Sequence, residues 1–132
     1  MTVPKLSEFD LGWVVGIVEG EGGIGLYSKG KRDGKLPRIA VGMTDQDTIR
    51  RLHAVVGAGY VLGPYQTTPD RKPYWRWAVE NRDDVMDLLH EMRPHLSVRR
   101  QAQVDAVLAW DAARPRRYAY GVRGHLKWRS AA

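Results

Sequence analysis

Between Leu11 and Val18, the apolar residues Leu11, Val14, Val15 and Val18 recur at i, i+3, i+4 and i+7, the spacing of one face of an α-helix. Trp13 and Ile17 make the opposite side apolar too, so this helix is expected to be buried on both sides. Ser7 can cap it, Asp10 stands three residues on, and Leu6 with Leu11 has the spacing of a hydrophobic staple, which places the helix at about 8–20. Residues 22–29 then alternate, with Ile24 and Leu26 on one face and Gly23, Gly25, Tyr27 and Lys29 on the other, as in a half-buried strand. After a polar turn at 30–35, a second strand is expected at about 37–44, with Ile39, Val41 and Met43 facing the core and Arg38, Ala40, Gly42 and Thr44 facing away. Thr44 is the expected cap of a second helix, with Asp45 and Asp47 in its first turn, Ile49, Leu52, Val55 and Val56 inward, and Gly57 at its end. Residues 60–65 and 73–79 read as two more strands around the turn-rich QTTPDRK. Trp75, Trp77 and Val79 share one face of the latter, Tyr74, Arg76 and Ala78 the other. Asn81, Asp83 and Asp84 start a third helix that carries Val85, Leu88, Leu89 and Met92 inward and is broken by Pro94. A last helix runs from about 98 to 113 with Val104, Val107 and Leu108 inward.

The order helix, strand, strand, helix, strand, strand, helix, helix predicts an α+β domain. Its four-stranded antiparallel sheet should carry helices on one face and leave the other free. That free face would present Tyr27, Lys29, Arg38 and Arg76 beside small residues. It is either a solvated surface or one laid against a duplex, where long side chains reach base edges and phosphates. Residues 1–113 form the expected domain and residues 114–132 a basic, aromatic tail. The tail's six cations, Arg116 and Arg117 among them, have no carboxylate between them.

Charge sharpens this picture. A net charge of +6 and an isoelectric point near 9.8 favour a polyanionic partner. The absence of cysteine excludes disulfides and thiolate metal sites. The first residues show no basic-then-apolar signal pattern, and the longest uncharged apolar stretch, Leu11 to Val18, is far too short to span a bilayer. The expectation is a soluble, cytoplasmic protein with no membrane partner.

The chemistry concentrates in LGWVVGIVEGEGGIG, residues 11–25. Gly12, Gly16 and Gly20 form a stripe without side chains, although each costs roughly 0.5 to 1 kcal/mol against alanine in a helix. Such a stripe suits close approach by another backbone. Glu19 and Glu21 sit at the helix C-terminus, where the macrodipole disfavours negative charge. GEGGIG matches the dinucleotide fingerprint formally, but a helix precedes it and a strand follows, the reverse of what that fingerprint needs. The four histidines lack metal-site spacing, and no serine has a nucleophile's context. The two glutamates either solvate or pair at the helix end, or offer hard oxygens to Mg²⁺. Arg99 and Arg100, also placed against a macrodipole, are either a plain basic surface or a pair that stabilises charge on a phosphate.

At VVGIVEGEG, residues 14–22, the chain resembles the LAGLIDADG homing endonucleases, with Gly16 on the motif glycine, Glu19 on the first acid and Glu21 on the second. The resemblance extends through GAGYV, residues 57–61, and PHLSVRRQAQ, residues 94–103, to about Trp110. It implies an αββαββα homing-endonuclease-like domain and site-specific cleavage of double-stranded DNA. With a single motif it implies a homodimer joined through Gly12, Gly16 and Trp13, acting on a pseudopalindromic site. It further implies Glu21, with Gly20 beside it, as the position for Mg²⁺ or another divalent cation such as Mn²⁺, and Glu19 as a supporting acid. Arg99 falls near a position where the family often has a catalytic lysine, with Arg100 as second choice. Asp45 lies near a polar position that organises solvent, or simply caps its helix. Tyr27, Lys29, Arg38, Arg76, Arg116 and Arg117 are the implied DNA contacts. The alternative is a non-cleaving DNA- or RNA-binding protein of the same fold, a maturase or regulator. In a bacterial or phage setting the expected location is the nucleoid.

Overall fold

The computed structural model describes residues 5–28 and 34–115. Helix α1 spans Glu8–Glu21, and the Ser7 side chain accepts from the Asp10 amide at its start. Strands β1, Gly22–Ser28, and β2, Lys35–Met43, follow. Helix α2, Gln46–Val56, leads to β3, Tyr60–Tyr65, and β4, Tyr74–Val79. Helix α3, Arg82–Met92, passes through a 3-10 turn at Arg93–His95 into α4, Val98–Ala113. The elements are those the periodicity predicts, with ends shifted by a residue or two.

The cap of α2 differs. Asp45, not Thr44, holds the N-cap, with Oδ1 accepting from the Thr48 amide at 3.2 Å and Oδ2 from the Thr48 hydroxyl at 3.0 Å. Its carboxylate engages two donors, where a threonine hydroxyl would satisfy one amide. At the other end Gly57 takes φ 73°, a left-handed cap that glycine adopts without steric cost.

The sheet is four-stranded and antiparallel, in the order β1-β2-β4-β3. Ile39, Val41, Trp77 and Val79 on its inner face meet Val14, Val15 and Val18 of α1, Ile49, Leu52 and Val56 of α2, Val85, Leu88, Leu89 and Met92 of α3, and Val104 and Val107 of α4 in one core. The Trp77 indole donates to the Ala58 carbonyl at 3.1 Å, so its polar edge is satisfied inside that core.

Around α1 the apolar arc is wider than one face. Trp13 and Ile17 also pack against the core, while Gly12, Gly16 and Gly20 stay exposed, and a Cβ built on any of them would meet nothing within 4 Å. Phe9, 74% exposed, flanks the stripe. The expectation of burial on both sides is thus half met within one chain. The junction out of α1 is tight: a Cβ on Gly22 would lie 2.8 Å from the Val18 carbonyl oxygen, so only glycine lets the chain turn at once from helix into β1. That turn sets the two acids at the end of the helix beside the first strand of the sheet.

Candidate functional site

The two glutamates of α1 have different surroundings. Glu19 Oε1 accepts from the Ser97 amide at 2.7 Å and Oε2 from the Ser97 hydroxyl at 2.8 Å. These bonds first, and then the charges of Arg100 and Arg99, hold its carboxyl below the usual glutamate range. Glu19 therefore ties the end of α1 to the start of α4. Arg100 completes the tie: only 6% exposed, it donates from Nη2 to the carbonyls of Gly22 at 2.6 Å and Glu19 at 3.2 Å, and from Nη1 to Gln103 at 3.0 Å. A cation that looks misplaced on the dipole of α4 is well placed on that of α1, whose last carbonyls it satisfies. Arg99 is exposed and acts on Glu19 through charge alone.

Glu21, the last helical residue, is exposed, and no hydrogen bond or ion pair with the described residues engages its carboxylate. It stands at a groove of about 630 Å³ lined also by Gly42, Met43, Thr44, Thr67, Arg71, Lys72 and Tyr74. Gly42 and Tyr74 belong to the open face of the sheet, so the groove continues that face toward the end of α1. Neither Arg99, Arg100 nor Asp45 lines it. The Asp45 carboxyl is held low by the Thr48 amide and hydroxyl, as befits a cap. Thr67, Arg71 and Lys72 went unnoticed in the sequence because QTTPDRK reads only as a turn. Its one signal was the adjacent cation pair.

Across the open face a polar cluster spans all four strands. Tyr27 from β1 and Tyr60 from β3 both lie close enough to Glu80, which follows β4, for its carboxylate to act on their phenols. Burial first, and then Glu80, pushes the Tyr27 phenol up to about 12, and the same causes raise that of Tyr60. The Arg38 guanidinium of β2 lies 4.4 Å from the centre of the Tyr27 ring and 4.0 Å from Glu80. Arg76 of β4 stands 5.6 Å over Tyr65. Of the predicted surface cations, Arg38 and Arg76 thus share this face with Tyr27, while Lys29, Arg116 and Arg117 lie outside the described residues. Trp13 is half-buried beside the glycine stripe, its ring 4.1 Å from the Arg51 guanidinium.

Among the described residues no helix is long and apolar enough to cross a membrane, and no group of three His, Cys, Asp or Glu side chains gathers to hold a metal. No protein-family model matches the chain, and no curated protein matches it. Solved structures do. The homing endonuclease I-CvuI, in complex with its target in the presence of calcium, superposes with a TM-score of 0.62 at 19% identity, covering 76% of this chain and 64% of that one. The archaeal intron-encoded homing endonuclease I-Vdi141I, complexed with DNA, gives 0.62 at 14% identity over 80% of this chain and 71% of that one. The group I intron-encoded I-CeuI, also complexed with DNA, gives 0.60 at 13% identity over 80% of this chain and 55% of that one. The chain thus spans less than two thirds of the length of I-CvuI, and the likeness is one of fold. With its four-stranded antiparallel sheet and four α-helices, this chain has the α+β fold of the LAGLIDADG homing endonucleases.

Proposed function

We propose that this chain is a DNA endonuclease of the LAGLIDADG family, working as a homodimer that cuts double-stranded DNA at a pseudopalindromic site by divalent-metal-dependent phosphodiester hydrolysis. The observation that carries the reading is the separation of the two acids. Glu19 is bound into the α1–α4 junction, whereas Glu21 is left unengaged on a groove that opens from the free face of the sheet. I-CvuI, I-Vdi141I and I-CeuI, which share the fold, were each solved in complex with DNA, and this supports a duplex as the partner.

The donor set fits a hard divalent cation, Mg²⁺ or Mn²⁺. Such an ion is usually held by one or two carboxylates together with substrate phosphate oxygens and water, and Glu21 beside the Gly20 backbone offers a carboxylate that no described residue engages. When bound there, it supplies Lewis-acid stabilisation of the phosphate and acidifies a water. The chain's own residues do the rest. Glu21 holds the ion position at the helix end, and Glu19 with Arg100 fixes that end against α4. Tyr27, Arg38 and Arg76 meet the duplex, with Lys29, Arg116 and Arg117 as further contacts. Arg99, exposed at the start of α4, adds positive charge near that helix end. Gly12 and Gly16 face a second copy, with Trp13 at the margin.

Incubating the chain with a randomised duplex library and Mg²⁺, then sequencing the new ends, finds the site. On that site Glu21→Gln is expected to keep DNA binding and lose cleavage. Cleavage retained by the variant removes Glu21 from the metal position, and a library left intact by the native chain favours the non-cleaving DNA- or RNA-binding reading.

A further inference from the structure

The β3–β4 connection, residues 66–73, is longer than a hairpin needs, since two residues suffice to reverse an antiparallel pair. It is also braced from within. The Gln66 side-chain amide donates to the carbonyls of Arg71 at 2.6 Å and Pro69 at 3.3 Å, and the Arg71 amide donates to the Thr68 carbonyl at 3.0 Å. The loop's one acid, Asp70, accepts from the Thr68 hydroxyl, which holds its carboxyl below the usual range, and it does not line the groove. What the braced loop turns into the groove is Thr67, Arg71 and Lys72, facing Glu21.

Glu21, Arg71 and Lys72 are all exposed, where opposite charges gain little by pairing and stay available to a ligand. Among the described residues neither Arg71 nor Lys72 pairs with Glu21 or with any other acid. At the groove floor, a Cβ on Gly42 would come into ordinary contact, 3.7 Å, with the Tyr74 ring and the Trp75 carbonyl. A carboxylate and two cations held apart leave room for a pair of charges in reverse order, a cation against Glu21 and an anion against the loop. Positive charge for that anion cannot come from Arg100, which is bound to the carbonyls of the α1 end. Arg99 does not reach the groove lining.

We propose that the Gln66-braced β3–β4 loop is a phosphate clamp, in which Arg71 and Lys72 each grip a backbone phosphate of the bound duplex across the groove from Glu21. This rests on the duplex-binding reading above. The clamp acts on DNA whether or not a metal is bound, so it is read by binding alone. Affinity for mixed-sequence duplex DNA is measured by fluorescence anisotropy over a series of salt concentrations in Ca²⁺ and in EDTA. Each lost phosphate contact should lower the slope of log K against log salt by about 0.9. Arg71→Met and Lys72→Met should each show that fall, Lys72→Arg should restore it, and Gln66→Ala should weaken binding about tenfold by loosening the loop. Arg93→Met, in the helix layer where Arg93 pairs with Asp105, should leave the slope unchanged. A native chain that binds with a steep slope while Arg71→Met and Lys72→Met match it overturns the clamp and spares the duplex reading. A native chain that binds no duplex overturns both.

Discussion

Arg100→Met separates a brace from a reacting group. The substitution keeps most of the buried apolar stem and removes the guanidinium, and with it the bonds to the Gly22, Glu19 and Gln103 oxygens and the 3.8 Å ion pair with Glu19. Hydrogen bonds to charged groups contribute about 1.5 to 3 kcal/mol each, and orphaning the partner of a buried charge adds to the loss. Against this, the variant no longer buries a charge, and the native Nε is itself buried without a hydrogen bond. The balance is a loss of about 2 to 4 kcal/mol, and with a urea slope near 2 kcal/mol/M for a domain of this size the midpoint should fall by about 1 to 2 M. Arg100→Lys should recover less than half, because an ammonium cannot bond both carbonyls and Gln103 from one planar fork. Urea unfolding followed by far-ultraviolet circular dichroism measures both. A midpoint within about 0.3 M of the native one, with DNA cleavage abolished, would refute the brace and move Arg100 into the reaction.

The Ser97 bonds make Glu19 a source of acid sensitivity. A carboxyl held below its ordinary 4.5 stabilises the fold fully above that value and loses the contribution as pH falls through the lowered one. Glu19→Gln should therefore flatten the fall of thermal midpoint below pH 4.5, and an unchanged acid limb would show that Glu19 carries no such linkage. At Gly16 the space is open, so Gly16→Leu should keep or raise the thermal midpoint while abolishing the dimer in sedimentation. A dimer that survives the leucine places the interface elsewhere.

What the sequence shows most clearly is what local periodicity decides. The alternation of Ile39 and Val41 with Arg38 and Ala40 sorts β2 into an inner and an outer face, and the i, i+3, i+4, i+7 positions of α3 end in the core, because burial follows the period of the backbone. The cap of α2 was one residue off because Thr44 and Asp45 are both good caps, and geometry beyond the sequence chose the one with two acceptors. The tie between Ser97 and Glu19, 78 positions apart, and the gathering of Tyr27, Tyr60, Arg38 and Glu80 from separate strands have no local signature at all.

The same distinction explains why one anomaly in the motif dissolves and another does not. Negative charge at a helix C-terminus is unfavourable for Glu19 and Glu21 alike as long as α1 is considered alone. Once α4 docks, Arg100 covers the exposed carbonyls and Ser97 engages Glu19, so the cost at that acid is offset within the fold. Glu21, two residues on and turned to the groove, receives no such partner from the described residues. Exposed and without an ion pair among the described residues, Glu21 and the nearby Arg71 and Lys72 keep their charges solvated, and that water is what a ligand binding between them would displace.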